Sequence, residues 1–97
     1  MHVISYKRIR EFIKDHPDSS IPLGRWYKRM KKGKFNSLNE LKRKFSGVDY
    51  IGKDRFVFNI SRNKFRLIAL VFLSTQIVLI RFIGTHAEYD RISANKI

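Results

Sequence analysis

His86, Tyr89, Arg66 and Arg81 are the residues of this chain whose types and spacing suit a proton-transfer reaction on a phosphate. An imidazole titrates near neutrality, and Thr85-His-Ala-Glu88 reads as a capping box that sets His86 at a helix N-terminus, where the backbone dipole favours the neutral base. Tyr89 follows three residues later and shares that helical face. Arg66 and Arg81 each lie within an apolar strand, where a guanidinium must either pair with an acid or line a surface that binds an anion. The acids available, chiefly Asp49, Asp54, Glu88 and Asp90, are few. A histidine, a phenol and two guanidiniums meet the needs of RNA strand cleavage by the 2′-hydroxyl: a base, an acid for the leaving oxygen, and cations for the charge that builds on phosphorus. That chemistry calls for no metal and no cofactor. The plain alternatives are an internal ion pair for each arginine and a structural role for His86. Glu88 is explained by capping, and His2 and His16 read as surface residues.

A second group of residues is suited to holding a polyanion. Lys28, Arg29, Lys31, Lys32 and Lys34 crowd one helix face, followed by Lys42, Arg43 and Lys44. A solvated face normally interleaves both signs, but the stretch from Arg25 to Lys34 contains no acid at all. Across the chain 21 Lys and Arg stand against 8 Asp and Glu, a formal charge of +13. Nucleic acid is the first partner such a charge implies, because neutralising phosphates releases counterions.

Composition narrows the classes further. Ninety-seven residues, 43% of them hydrophobic, suffice for one folded domain spanning residues 1–97. The absence of cysteine removes disulfides and thiolate metal sites, and no phosphate-cradling glycine loop, zinc motif or serine triad is present. No signal-peptide pattern opens the chain, so a cytoplasmic location is expected. The apolar run from Phe65 to Ile83 is not a membrane span. As a helix, the stretch between Arg66 and Arg81 would cover only about 21 Å, against a hydrocarbon core of roughly 30 Å, and Ser74, Thr75 and Gln76 interrupt it.

The elements that must position these residues follow from periodicity. Met1 to Ile4 reads as a short strand. Ser5 then caps a helix carrying Tyr6, Ile9, Phe12 and Ile13, which Pro17 stops. Pro22 suits the first position of a second helix with Leu23, Trp26, Tyr27 and Met30 at helical spacing and Gly33 at its end. Ser37-Leu-Asn-Glu40 is a capping box for a third, short helix closed by Gly47. From Arg55 to Ser61 the period becomes two, with Phe56, Phe58 and Ile60 on one face. A turn at Arg62-Asn63 relies on asparagine for its left-handed residue. Lys64 to Leu73 is a central strand, Ser74-Thr75 a second turn, and Gln76 to Ile83 the strand that pairs back. The outcome is an α+β domain with helices packed on one face of the sheet.

At this point a family resemblance becomes legible. Phe56-Val-Phe-Asn-Ile60, Asn63 and Arg66-Leu-Ile-Ala69 form one block, and Ile80-Arg81 with Thr85-His-Ala-Glu-Tyr-Asp90 forms another; with the opening Met-His-Val-Ile, the chain resembles the HigB toxins from residue 1 to about 92. The resemblance implies a RelE-like curved antiparallel sheet backed by helices, cleavage of messenger RNA often at the ribosome, and silencing by a HigA-type helix-turn-helix antitoxin. It sets Asn59, Asn63, Arg66, Arg81, His86 and Tyr89 near the active surface. In that reading Arg66 and Arg81 hold the phosphate, His86 carries the proton, Tyr89 stacks on a base or assists transfer, and Asn59, Asn63 and Lys64 join the basic helix in binding RNA. The same fold also houses ParE-type gyrase poisons, and a non-catalytic basic RNA- or DNA-binding module is the other alternative.

Overall fold

Two hairpins built from period-two sequence organise the molecule, and the helices that precede them cover one of their faces. The computed structural model describes all 97 residues. In chain order the elements are β1 (His2–Ile4), α1 (Tyr6–Asp15), a 3-10 turn (Pro17–Ser19), α2 (Ser20–Lys32), α3 (Leu38–Lys44), β2 (Asp49–Tyr50), β3 (Arg55–Ile60), β4 (Phe65–Phe72), β5 (Ile77–Thr85), α4 (His86–Asp90) and a last 3-10 turn (Ala94–Lys96). The strands form one sheet in the order β1-β5-β4-β3-β2. It is antiparallel except at β1, which runs parallel to β5, and this corrects the wholly antiparallel expectation. The His2 N–H donates to the Gln76 carbonyl at 2.8 Å, so β1 begins beside the start of β5 and must run with it.

Alternation decides what each strand buries. Phe56, Phe58 and Ile60 of β3, Phe65, Leu67, Ala69 and Val71 of β4, and Val78 and Ile80 of β5 face Ile9, Leu23, Trp26, Met30, Phe35, Leu41 and Phe45 from the helical layer in one cluster. Trp26 and Phe45 each meet Phe58 edge-on, at centroid distances of 5.4 and 5.2 Å. Each such side chain contributes about 1.5–3 kcal/mol by leaving water. Val57 and Ile68 point the other way and are just as buried, 2% and 0% exposed, yet lie outside this cluster. The chain after α4 ends beside Arg55 on this side of β3, where Arg55 Nη2 donates to the Ile97 carbonyl at 2.9 Å. The apolar run from Phe65 to Ile83 is therefore β4 and β5, and no helix is long and apolar enough to cross a membrane.

Several local expectations are corrected. Ser5 makes no side-chain cap; it takes a left-handed backbone, φ 75°, that turns β1 into α1. α2 starts two residues before Pro22, which therefore stands third in the first turn, where a missing N–H costs no intrahelical bond. Gly33 leaves α2 in an extended conformation rather than a left-handed one. Ser37 Oγ accepts from Glu40 N as foreseen, but the Glu40 carboxylate reaches the Asn36 N–H, so only half of that capping box forms. In the β3-β4 turn the left-handed residues are Ser61 and Arg62, φ 53° and 62°, not Asn63.

Gln76 ties the two layers together at the β4-β5 turn. It has φ 59°, accepts from Phe35 N at 3.2 Å, and donates to the Phe35 and Leu73 carbonyls at 2.6 and 2.7 Å. Gln76→Gly keeps the left-handed backbone without strain and removes the side chain, and with it all three amide hydrogen bonds. We expect it to cost about 1–3 kcal/mol, seen as a lower denaturation midpoint at unchanged slope; an unmoved midpoint would show that the amide contributes nothing.

Candidate active site

The central strand delivers the first functional side chain. Arg66 of β4 sits opposite Asn59 of β3 on one side and Gly84 of β5 on the other, so all three occupy the sheet face turned away from α1–α3. Gly84 is required there: a Cβ would fall 2.5 Å from the Phe82 ring and 3.2 Å from Glu88 Cβ. Without one, the chain can bend sharply into α4.

α4 is only five residues long and depends on its cap. Thr85 Oγ1 accepts from Glu88 N at 3.2 Å and Glu88 Oε1 accepts from Thr85 N at 2.8 Å, the reciprocal box expected from the sequence. The His86 N–H donates to the Lys64 carbonyl at 3.2 Å and so binds the helix to the β3-β4 turn. Tyr89 is thereby brought under Arg66, with the guanidinium 5.3 Å from the ring centroid, a cation–π contact. His86 Nδ1 lies 3.0 Å from Asp90 Oδ2 one turn along. The neutral tautomer that donates from Nδ1 to this carboxylate is the one whose Nε2 is an acceptor, the arrangement a general base needs.

Arg81 arrives by a different route. Ile68 pairs with Phe82 and Ala69 with Ile80, so Arg81 is the extra residue of a β-bulge, exposed and bonded to no acid. The ion pairs of the molecule are Lys7–Glu11, Lys64–Asp18 and His86–Asp90. None of the acids that stood as partners for Arg66 or Arg81 takes that role. Arg66 Nε and its neighbour Asn59 Oδ1 are both buried without a hydrogen-bond partner.

Two carboxyls are perturbed. The Thr85 backbone N–H holds Glu88 below the usual carboxylate range, helped by the Thr85 side chain and the charges of His16 and Arg91 and opposed by desolvation. Asp18 is lowered mainly by its hydrogen bond from Lys64.

The remaining sequence-derived residues are dispersed. Lys28, Arg29, Lys31 and Lys32 lie on the exposed side of α2, across the sheet from Arg66, with Lys31 Nζ 5.7 Å from the Tyr27 ring centroid. Lys34 follows just past that helix. Asn63 is exposed at the hairpin tip. The Lys64 ammonium is committed to Asp18 rather than free, because the 3-10 turn Pro17–Ser19 brings that acid to the hairpin. His16, read from sequence as a surface residue, is instead stacked on Phe12 at 4.3 Å and set edge-on to Phe65 at 5.6 Å. Its i+4 spacing from Phe12 was the signal. Arg25 and Arg62, which were not among the site residues, line a cleft beside Trp26 and Asn59.

Comparison with known proteins gives a single answer. The model of a family described as HigB toxin, the RelE-like toxic component of a toxin-antitoxin system, matches residues 19–92. The mRNA interferase toxin HigB of Escherichia coli strain K12 is 33% identical over 97% of this chain and 92% of its own length. The mRNA interferase HigB of Shigella flexneri matches to the same extent, and that of Escherichia coli O6:H1 is 27% identical over 96% of this chain and 92% of its own.

The lowered pKa of Glu88 makes the cap sensitive to acid. Its stabilisation is complete above the unfolded carboxyl's pKa and is lost as pH falls through the lower, folded value. Denaturation measured across that acidic window should show a shallower loss of stability for Glu88→Gln than for the parent, and Thr85→Ala should cost about 0.5–2 kcal/mol at neutral pH. Identical acid profiles for Glu88→Gln and the parent would remove Glu88 from the account.

Proposed function

The chain belongs to the HigB toxin family, and on that premise we propose that it is an endoribonuclease that cuts messenger RNA and is silenced by a partner antitoxin. The observation that supports this reading is an Arg66 guanidinium, paired with no acid, set against the Tyr89 ring of the same short helix that carries the carboxylate-bonded His86 imidazole. His86 Nε2 takes the proton from the attacking 2′-hydroxyl. Arg66, braced on Tyr89, and Arg81, carried outward by the bulge, hold the phosphate and the charge that grows on it. Tyr89 stacks on a neighbouring base or passes a proton to the leaving oxygen. Asn59 and Asn63 extend this surface toward the hairpin tip, and the basic face of α2, Lys28, Arg29, Lys31, Lys32 and Lys34, gathers the polyanion, whether free message or the ribosome. A HigA-type antitoxin reverses the activity by laying an acidic segment over Arg66 or Arg81.

Both His86 and Arg81 are exposed, so their replacement by alanine tests chemistry rather than folding. His86→Ala should slow cleavage by about 10²–10⁴, and Arg81→Ala should also abolish growth arrest. Trp26→Ala, by contrast, should lose activity through unfolding, at about 3–5 kcal/mol. Should folded His86→Ala and Arg81→Ala still cut RNA within a few-fold of the parent, the active surface lies elsewhere, with Lys53, Arg55 and Lys64 next in line.

Binding makes its own prediction. Affinity for RNA should fall steeply with salt, and reversing Lys28, Lys31 and Lys32 to Glu should weaken it further. Parental affinity in that triple variant would reduce the α2 face to a solvated surface.

A further inference from the structure

β2 meets β3 only at Phe56 and Val57, so from Phe58 onward the outer edge of β3 faces no strand. The first half of α2 and the chain just after α3 wall this edge and leave a cleft of about 460 Å³, within the roughly 300–1,000 Å³ typical of ligand sites. Arg25 and Arg29, one helical turn apart, enter it from α2, and Arg62 enters from the β3-β4 turn. No carboxylate lines the cleft, and none of the three guanidiniums takes part in an ion pair. Three like charges turned on one space repel one another until an anion fills it.

Two features of the backbone and core point to the same space. Arg62 and its neighbour Ser61, also on the cleft, are non-glycine residues held at positive φ, a conformation that costs on the order of 1–3 kcal/mol each. Trp26 is 4% exposed, and its indole Nε1 is buried without a partner. Trp26 and Phe45 thus form part of the apolar wall of the cleft, and the indole N–H behind that wall has no partner within the protein. Asn59, which also lines the cleft, is the cross-strand neighbour of Arg66 and links it to the active surface.

We propose that this cleft is a nucleotide subsite, which takes one nucleotide of the RNA strand next to the one being cut. Arg25, Arg29 and Arg62 clamp its phosphate, for which the planar guanidinium fork is suited, and its base lies against the apolar wall formed by Pro22 and the accessible edges of Trp26 and Phe45. Three guanidiniums lining one small cleft suit a single phosphate, whereas the carboxylates of an acidic peptide would be spaced along its length. The inference rests on the reading of the chain as a ribonuclease.

Trp26 is the sole tryptophan of the chain and therefore reports on the cleft directly. The probe is a short oligoribonucleotide with every 2′-hydroxyl methylated, which can bind but cannot be cut. Its titration should change Trp26 emission saturably. Arg25→Ala with Arg62→Ala, both exposed positions whose folding circular dichroism verifies, should raise the Kd about tenfold or more. Lys7→Ala with Lys14→Ala removes the same charge from α1 and should shift it far less. Emission that stays unmoved while the oligonucleotide binds, a double arginine variant that binds like the parent, or emission that answers a glutamate-rich peptide and not the oligonucleotide would each overturn the subsite. Catalysis is read separately: a chain that cuts RNA with a silent Trp26 refutes the subsite alone, and one that binds the probe at Trp26 yet cuts no RNA refutes the ribonuclease reading alone.

Discussion

β4 must be buried on both of its faces, because its residues are apolar at odd and even positions alike, and the rest of the structure answers to that demand. Phe65, Leu67, Ala69 and Val71 are covered by α1–α3, while Ile68, on the opposite face, is just as fully buried. A strand so enclosed has to be central, with β3 and β5 hydrogen-bonded to its two edges. Arg66 is the one cation set into this strand. Its backbone position is as rigid as the core beneath it, and its head group is steadied by the Tyr89 ring. A loop would supply the same guanidinium with far less positional precision.

Charge is distributed as unequally as hydrophobicity. The acids that form ion pairs are spent on lysines or on His86, and none of them reaches an arginine. The exposed side of α2, the cleft along the open edge of β3, and the face bearing Arg66 are therefore left positive, as is the exposed, bulged Arg81. Such a surface has a cost in self-repulsion, which a polyanion removes on binding. Two of these regions lie on opposite sides of the sheet, and Asn59, at the meeting point of cleft and active face, joins the third to them.

α4 shows how little helix is needed to position side chains when its ends are fixed. Five residues are too few to be stable alone, yet the Thr85–Glu88 box, the close approach permitted at Gly84, and the bond from His86 N to Lys64 define where it starts. Its two functional side chains then acquire partners one by one: Asp90 for the imidazole, Arg66 for the phenol ring. Asp18 pulls Lys64 away from this surface and packs the turn before α2 against the hairpin.

Periodicity, composition and capping motifs by themselves determined that this is an α+β protein with four helices, that Phe65 to Ile83 is a pair of strands, and that Thr85 and Glu88 open the last helix. Those properties are local: a side chain's alternation or a cap's spacing is set by neighbours within a few residues, and the HigB pattern is written in the same short blocks. The direction of β1, the bulge that exposes Arg81, the engagement of Lys64 by Asp18, the stacking of His16 and the cleft of Arg25, Arg29 and Arg62 were decided only by tertiary structure. Each depends on which distant segments meet, as residues 18 and 64 or 26 and 58 do, and no pattern within a single segment records its partner.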